Sequence, residues 1–205
     1  HPPIATLEEA VRTLKPTALI GVAAQSRAFS EPVLTAMAEV TARPIIFALS
    51  NPTSKAECTS EEAYRWTAGR ALFASGSPAA AVTLDGMHFV PRQANNVYIF
   101  PGLGLGVVAT QATAVSDRMF LAAARALAGT VSAHDLAQGA LFPALESIRA
   151  TSVTIAAAVV RVALEEHLAT VEVPTDIESW VADRMYQPIY PTIPSERRKP
   201  VLVGS

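Results

Sequence analysis

Three apolar runs without polar alternation constrain this chain most. Residues 17–23, 44–49 and 71–74 are short stretches dominated by Ala, Ile, Leu and Phe. Runs of this kind suit strands buried on both faces rather than strands with one wet face. Each ends at a small polar cluster: Ala23-Ala24-Gln25-Ser26-Arg27, Ser50-Asn51-Pro52-Thr53 and Ser75-Gly76-Ser77-Pro78. Between the first two runs, Ser30 stands at an N-cap position, and Val33, Leu34, Met37 and Val40 follow at helical spacing. Between the second and third, Thr59 and Glu62 form a capping-box pattern for a helix that runs to Thr67 and stops at Gly69. Strand, helix, strand, helix, strand with short connections predicts parallel strands and right-handed crossovers, as in one half of a doubly wound α/β sheet.

Beyond this unit, Asp85-Gly86 suits the turn of a small hairpin over residues 83–90. From Pro101 onward the pattern is helical. Ser116 caps a helix carrying Met119, Leu121, Ala122, Ala126 and Leu127 on one face, Ser132 starts another, residues 147–169 form a long apolar helix, and residues 177–186 a last one. The tail after Pro188 is proline-rich and expected to be extended. The division predicted is 1–115 for the sheet region and 116–205 for a helical C-terminal region and tail.

Half of the 205 residues are hydrophobic and 17% are charged, with a mean hydropathy of +0.29. That excludes a disordered segment, and the length suffices for a core without disulfides. A formal charge of −2 and a pI near 6.1, with no basic run, argue against nucleic-acid or anionic-membrane partners. The single cysteine, Cys58, cannot form an internal disulfide and points to a reducing intracellular compartment. Residues 153–164 are interrupted by Arg161 and flanked by Arg149 and Glu165-Glu166, which reads as too short and too charged to span a bilayer. Position 1 is His1, with no initiator Met and no signal-peptide layout. A soluble piece of a longer chain is expected.

In an open parallel sheet, ligands bind beyond the carboxyl ends of the strands. The three polar clusters fall there, and a fourth, Gln93-Ala94-Asn95-Asn96, precedes Val97-Tyr98-Ile99-Phe100-Pro101-Gly102. An asparagine amide both donates and accepts, so it can hold a carboxylate or hydroxyl without committing a charge. Capping or turn formation is the more ordinary role for Asn51, Asn95 or Asn96 taken singly. Other constellations are weaker. His1, His88, His134 and His167 lack metal-ligand spacing. Ser75-Gly76-Ser77 lacks the Gly-x-Ser-x-Gly pattern of a nucleophile turn. Gly102, Gly104 and Gly106 do not make a dinucleotide fingerprint, and close helix packing explains them better.

At these same clusters the chain resembles the malic enzymes. The matching stretches are Leu14-Lys15-Pro16-Thr17 with Leu19-Ile20-Gly21-Val22, Arg43-Pro44-Ile45-Ile46-Phe47-Ala48-Leu49-Ser50-Asn51-Pro52-Thr53, Ala56-Glu57-Cys58-Thr59, Gly69-Arg70-Ala71-Leu72-Phe73-Ala74-Ser75-Gly76-Ser77-Pro78 and Gln93-Ala94-Asn95-Asn96-Val97-Tyr98-Ile99-Phe100-Pro101-Gly102, with Met185-Tyr186 and Pro188-Ile189-Tyr190 near the end. The resemblance implies an α/β fold, part of a doubly wound Rossmann-type parallel sheet that binds NAD(P), followed by a helical C-terminal region. It implies an oxidoreductase that decarboxylates malate to pyruvate and carbon dioxide while reducing NAD or NADP, with a Mg or Mn ion.

By position, Asn51 and Asn96 match the family's asparagines that meet the substrate and the nicotinamide end of the cofactor, and Asn95 is a second-rank substrate match. The loop containing Ala23 and Ala24 matches a backbone stretch near the cofactor. The family's tyrosine acid, lysine base, acidic metal ligands and glycine-rich pyrophosphate turn belong upstream of His1. No catalytic residue or metal ligand is therefore assigned in this chain, and Lys15 and Tyr98 are not those groups' equivalents. The resemblance further implies the remainder of a malic enzyme chain and a homo-oligomer as partners, in the cytoplasm, a mitochondrion or a plastid. Three positions depart from the pattern. Arg92 stands where a glycine is usual, Ala79 replaces a common aromatic, and Ala5 falls where NADP-dependent members often carry a lysine for the 2′-phosphate, a lean toward NAD. The competing reading is a noncatalytic Rossmann-type binding or assembly module, which fold alone does not separate from an enzyme.

Overall fold

In a computed structural model that describes residues 3–188, the three apolar runs form one parallel sheet. Ala18–Gly21 (β1), Ile45–Ala48 (β2) and Leu72–Ser75 (β3) lie in that order, with Ala18 opposite Ile45 and Ile45 opposite Leu72. Glu31–Val40 (α2) links β1 to β2, and Ser60–Trp66 (α3) links β2 to β3. The expected strand-helix alternation is thus present. His1, Ile189, Tyr190 and the tail expected to be extended lie outside the described residues.

Local chemistry explains the boundaries. Thr59 Oγ1 accepts from Glu62 N at 3.1 Å while the Glu62 carboxylate accepts from Thr59 N at 2.8 Å, so α3 starts at a capping box. It ends with Ala68 and Gly69 in the left-handed region, Gly69 N donating to Tyr64 O. A helix not foreseen above, Leu7–Leu14 (α1), precedes β1; its signal was Thr6 and Glu9, which make another capping box. Val11 buries α1 against α2, and Arg12 pairs with Glu39 at 2.5 Å.

The hairpin forms as Val82–Leu84 (β4) and Met87–Phe89 (β5). Asp85 and Gly86, both at positive φ, are its turn residues. Its Phe89 ring stacks on Tyr64 at 4.1 Å, and Tyr64 meets Phe73 edge-on at 5.9 Å.

Phe100–Thr110 (α4), Asp117–Gly129 (α5), Ala133–Ala137 (α6), Ile148–Glu165 (α7) and Ile177–Arg184 (α8) follow. Residues 145–165 are apolar and long enough to cross a membrane by length and composition. Here α7 is the central helix of a layer: Ile155, Val159 and Ala163 pack with Leu103, Met119 and Ala123, and Ala156, Ala157 and Val160 with Ile177 and Val181. The glycines of α4 permit the contact. A Cβ on Gly102 would stand 2.7 Å from Ile155 Cβ, and one on Gly106 2.8 Å from Val159 Cβ. A Cβ on Gly104 would meet nothing within 4 Å, so close packing accounts for two of the three glycines.

Candidate functional site

Parallel pairing sends all three strands out of the same edge of the sheet, so the turns after β1, β2 and β3 gather there. The fourth cluster joins them by a different route. Ser75, the last residue of β3, forms a parallel bridge with Gln93, Ala94 N donates to Ser75 O at 2.8 Å, and Gln93 Nε2 donates to Gly76 O at 2.8 Å.

Asn51 is exposed just beyond β2. Its Oδ1 accepts from Ser77 Oγ at 2.6 Å, and its Nδ2 lies 3.5 Å from Leu49 O. Gly76 lets the two turns approach this closely, since a Cβ there would fall 2.1 Å from Leu49 O. Ser75 Oγ in turn donates to Ser77 O at 2.5 Å. The turns after β2 and β3 are therefore one hydrogen-bonded unit.

Asn95 is the N-cap of a short 3-10 turn, Asn96–Tyr98, with its Oδ1 accepting from Val97 N at 2.9 Å. Asn96 is the first residue of that turn and is exposed. Tyr98 anchors the turn from below, its buried hydroxyl donating to Pro143 O at 2.9 Å. That hydroxyl is engaged inside the fold, and burial raises its pKa.

Ala23 and Ala24 are exposed after β1, with Ala24 at φ 52°. Ala24 N donates to Ser50 Oγ at 2.8 Å, and Ser50 Oγ donates to Glu57, which also accepts from Ser50 N at 3.3 Å. Glu57 is fully buried. Sequence reasoning quoted Glu57 within a motif but gave it no role. Acidic residues are rarely buried, and neither periodicity nor spacing marks one that is.

Beside the Asn51–Ser77 unit lies a cleft of about 490 Å³. Arg27, Thr53, Ser75 and Ser77 line it together with Phe73 and Ala79. Neither Asn51 nor Asn96 lines it. Cys58 also borders this cleft, but burial, followed by the charges of Glu62 and Glu57, pushes its thiol up to about 12, which keeps it protonated and unreactive at neutral pH. Among the described residues, no three His, Cys, Asp or Glu side chains are grouped to hold a metal ion.

The family model described as "Malic enzyme, NAD binding domain" matches residues 2–164. The chain belongs to the malic enzyme family. It is 51% identical over 192 residues to the mitochondrial NADP-dependent malic enzyme of Homo sapiens, covering 93% of this chain and 32% of that protein. It is 49% identical over 191 residues to the chloroplastic NADP-dependent malic enzyme of Zea mays, covering 93% of this chain and 30% of that one. The chain thus spans about a third of the length of these malic enzymes. Among solved structures, malic enzymes from Entamoeba histolytica and Pyrococcus horikoshii superpose with TM-scores of 0.68 and 0.65 at 24% identity, over 88% of this chain and 33% and 36% of those chains. These likenesses show the fold, the Rossmann-type α/β arrangement, and the family profile assigns it to the NAD-binding part of a malic enzyme.

Proposed function

We propose that this chain is the nicotinamide-facing part of an enzyme that oxidises malate to pyruvate and carbon dioxide and reduces NAD or NADP. The observation that carries the reading is the bond from Ser77 to Asn51. With the Asn51 carbonyl oxygen engaged by Ser77 and one amide hydrogen given in a long bond to Leu49 O at 3.5 Å, the second hydrogen of the NH2 is left to donate from an exposed position at the ligand-binding edge of the sheet. A donor without charge suits a substrate carboxylate or the carboxamide of a nicotinamide.

Asn96, presented on the neighbouring 3-10 turn, is the second such group, and Asn95 holds that turn in place. Ala23 and Ala24 form the backbone wall on the β1 side. NAD or NADP supplies the hydride acceptor for C2 of malate when bound. The part played by these residues is to bind and orient the dicarboxylate against the ring, which lowers the entropic barrier to transfer. General acid, general base and the ligands of a Mg or Mn ion belong to the remainder of the enzyme. In support, β1 is hydrogen-bonded only to β2 among the described residues, and its Ile20 is 58% exposed, so the sheet has an open edge where further strands can add.

The test is malate-dependent NAD(P)H formation by the complete enzyme with Mg or Mn. Asn51→Ala and Asn96→Ala are each expected to lower kcat/KM for malate by about 10- to 1,000-fold with the fold intact. Unchanged rates would return both residues to a purely structural role.

A further inference from the structure

Glu57 is the one carboxylate among the described residues with no exposure at all, and none of the ion pairs among those residues includes it. Burying a carboxylate without a cation is costly, so its hydrogen bonds must compensate. They come from a single residue. Ser50 donates to one Glu57 oxygen through its hydroxyl and to the other through its backbone N–H. The direction of the chain is fixed. Ala24 N–H has only a hydrogen to give, so Ser50 Oγ accepts from it and its own hydrogen goes to Glu57.

This chain of bonds joins two turns that approach the ligand edge from different strands. Ala24, after β1, is held through the Ser50 hydroxyl. The backbone of Ser50, adjacent to Asn51, is held directly. Gly21 at the end of β1 leaves room for it, since a Cβ there would stand 2.4 Å from Glu57 Cδ. Phe29 N donates to Glu57 O at 3.1 Å and Arg27 N to Ala56 O at 3.3 Å, so the backbone around Glu57 also fastens the far side of the Ala24 loop.

We infer that Glu57 is a positioning residue that sets, through Ser50, the spacing between the cofactor-facing Ala23–Ala24 turn and the substrate-facing Asn51. This rests on the function proposed above. It predicts an asymmetry that general destabilisation does not. Ser50→Ala removes the link to Ala24 and keeps the Ser50 backbone bond, so it acts on the cofactor side. Glu57→Gln replaces one accepting oxygen by an NH2 that faces a donor, so it disturbs both sides.

The experiment uses the complete enzyme, with steady-state kinetics and a fluorescence titration of NAD(P)H, well below the unfolding temperature. Ser50→Ala is expected to raise KM for NAD(P) and the NAD(P)H Kd about tenfold while KM for malate stays within about twofold, and Glu57→Gln to raise both KM values. The Ser50→Ala, Glu57→Gln double variant should be no worse than Glu57→Gln alone by more than about threefold, as for residues acting in one chain. Gly21→Ala, which displaces the Glu57 carboxylate from another direction, should mimic Glu57→Gln, and it carries the two-sided test if Glu57→Gln fails to fold. Cofactor affinity unchanged in Ser50→Ala, or both KM values raised equally by it, would overturn the inference. A wild-type enzyme that binds no NAD(P)H would instead overturn the functional reading, and the positioning role with it.

Discussion

Ser77 Oγ stands 2.6 Å from Asn51 Oδ1, and this bond, much shorter than the 3.5 Å contact of Asn51 Nδ2 with Leu49 O, is the stronger restraint on the Asn51 amide. Ser77→Ala leaves the amide without that restraint and free to turn its carbonyl toward a bound carboxylate. We expect kcat/KM for malate in the complete enzyme to fall about 3- to 30-fold, the size of one lost hydrogen bond. Thermal stability should change little by comparison. Kinetics indistinguishable from wild type would mean that Asn51 is held by other means.

The glycines of α4 divide by what lies opposite them. Gly102→Ala and Gly106→Ala force a methyl into Ile155 and Val159 and should each cost about 1–3 kcal/mol. Gly104→Ala meets open space and should stabilise by about 0.5–1 kcal/mol through helix propensity. Urea unfolding with an unchanged m-value measures all three. The result to exclude is a loss at position 104 equal to that at 102.

These cases show where legibility in the sequence ended. The β1-β2-β3 alternation, the Thr59–Glu62 cap and the Asp85-Gly86 turn were legible because each is decided within a few residues by periodicity or capping chemistry. The grouping of the polar clusters followed from the rule for parallel sheets. What escaped was set by long-range geometry: that a side chain at Gly104 would meet open space, that Ser77 reaches Asn51 from the next turn, and that Gly21 leaves space for Glu57. The α1 helix escaped for another reason, since its capping box was local but preceded an exposed segment with one buried side chain, Val11.

Cys58 makes stability depend on pH. Its ordinary pKa of 9.0 rises to about 12 in the fold, chiefly through burial. Below pH 9 the thiol is protonated in folded and unfolded chains alike, and the stabilisation is complete. Between pH 9 and about 12 the unfolded chain loses the proton while the folded one keeps it, so stability declines by at most about 1.4 kcal/mol per pH unit. Cys58→Ala should flatten that limb of the stability curve. In the native protein at neutral pH, iodoacetamide should modify Cys58 far more slowly than in the urea-unfolded chain, and equal rates would contradict its burial.

Residues 1–205 alone should not turn over malate. Tyr98 is committed to Pro143 inside the fold, Cys58 is held protonated, and no three metal-binding side chains are grouped among the described residues. Glu57 is buried and taken up by Ser50, Glu61 and Glu62 at the cleft are engaged by Arg65 and Thr59, and the asparagine amides and backbone at the sheet edge orient a substrate but neither take nor give a proton at neutral pH. Incubating the chain with malate, NAD or NADP, and Mn or Mg, and following NAD(P)H absorbance, checks this directly. Metal-dependent NAD(P)H formation by these residues alone would overturn this expectation.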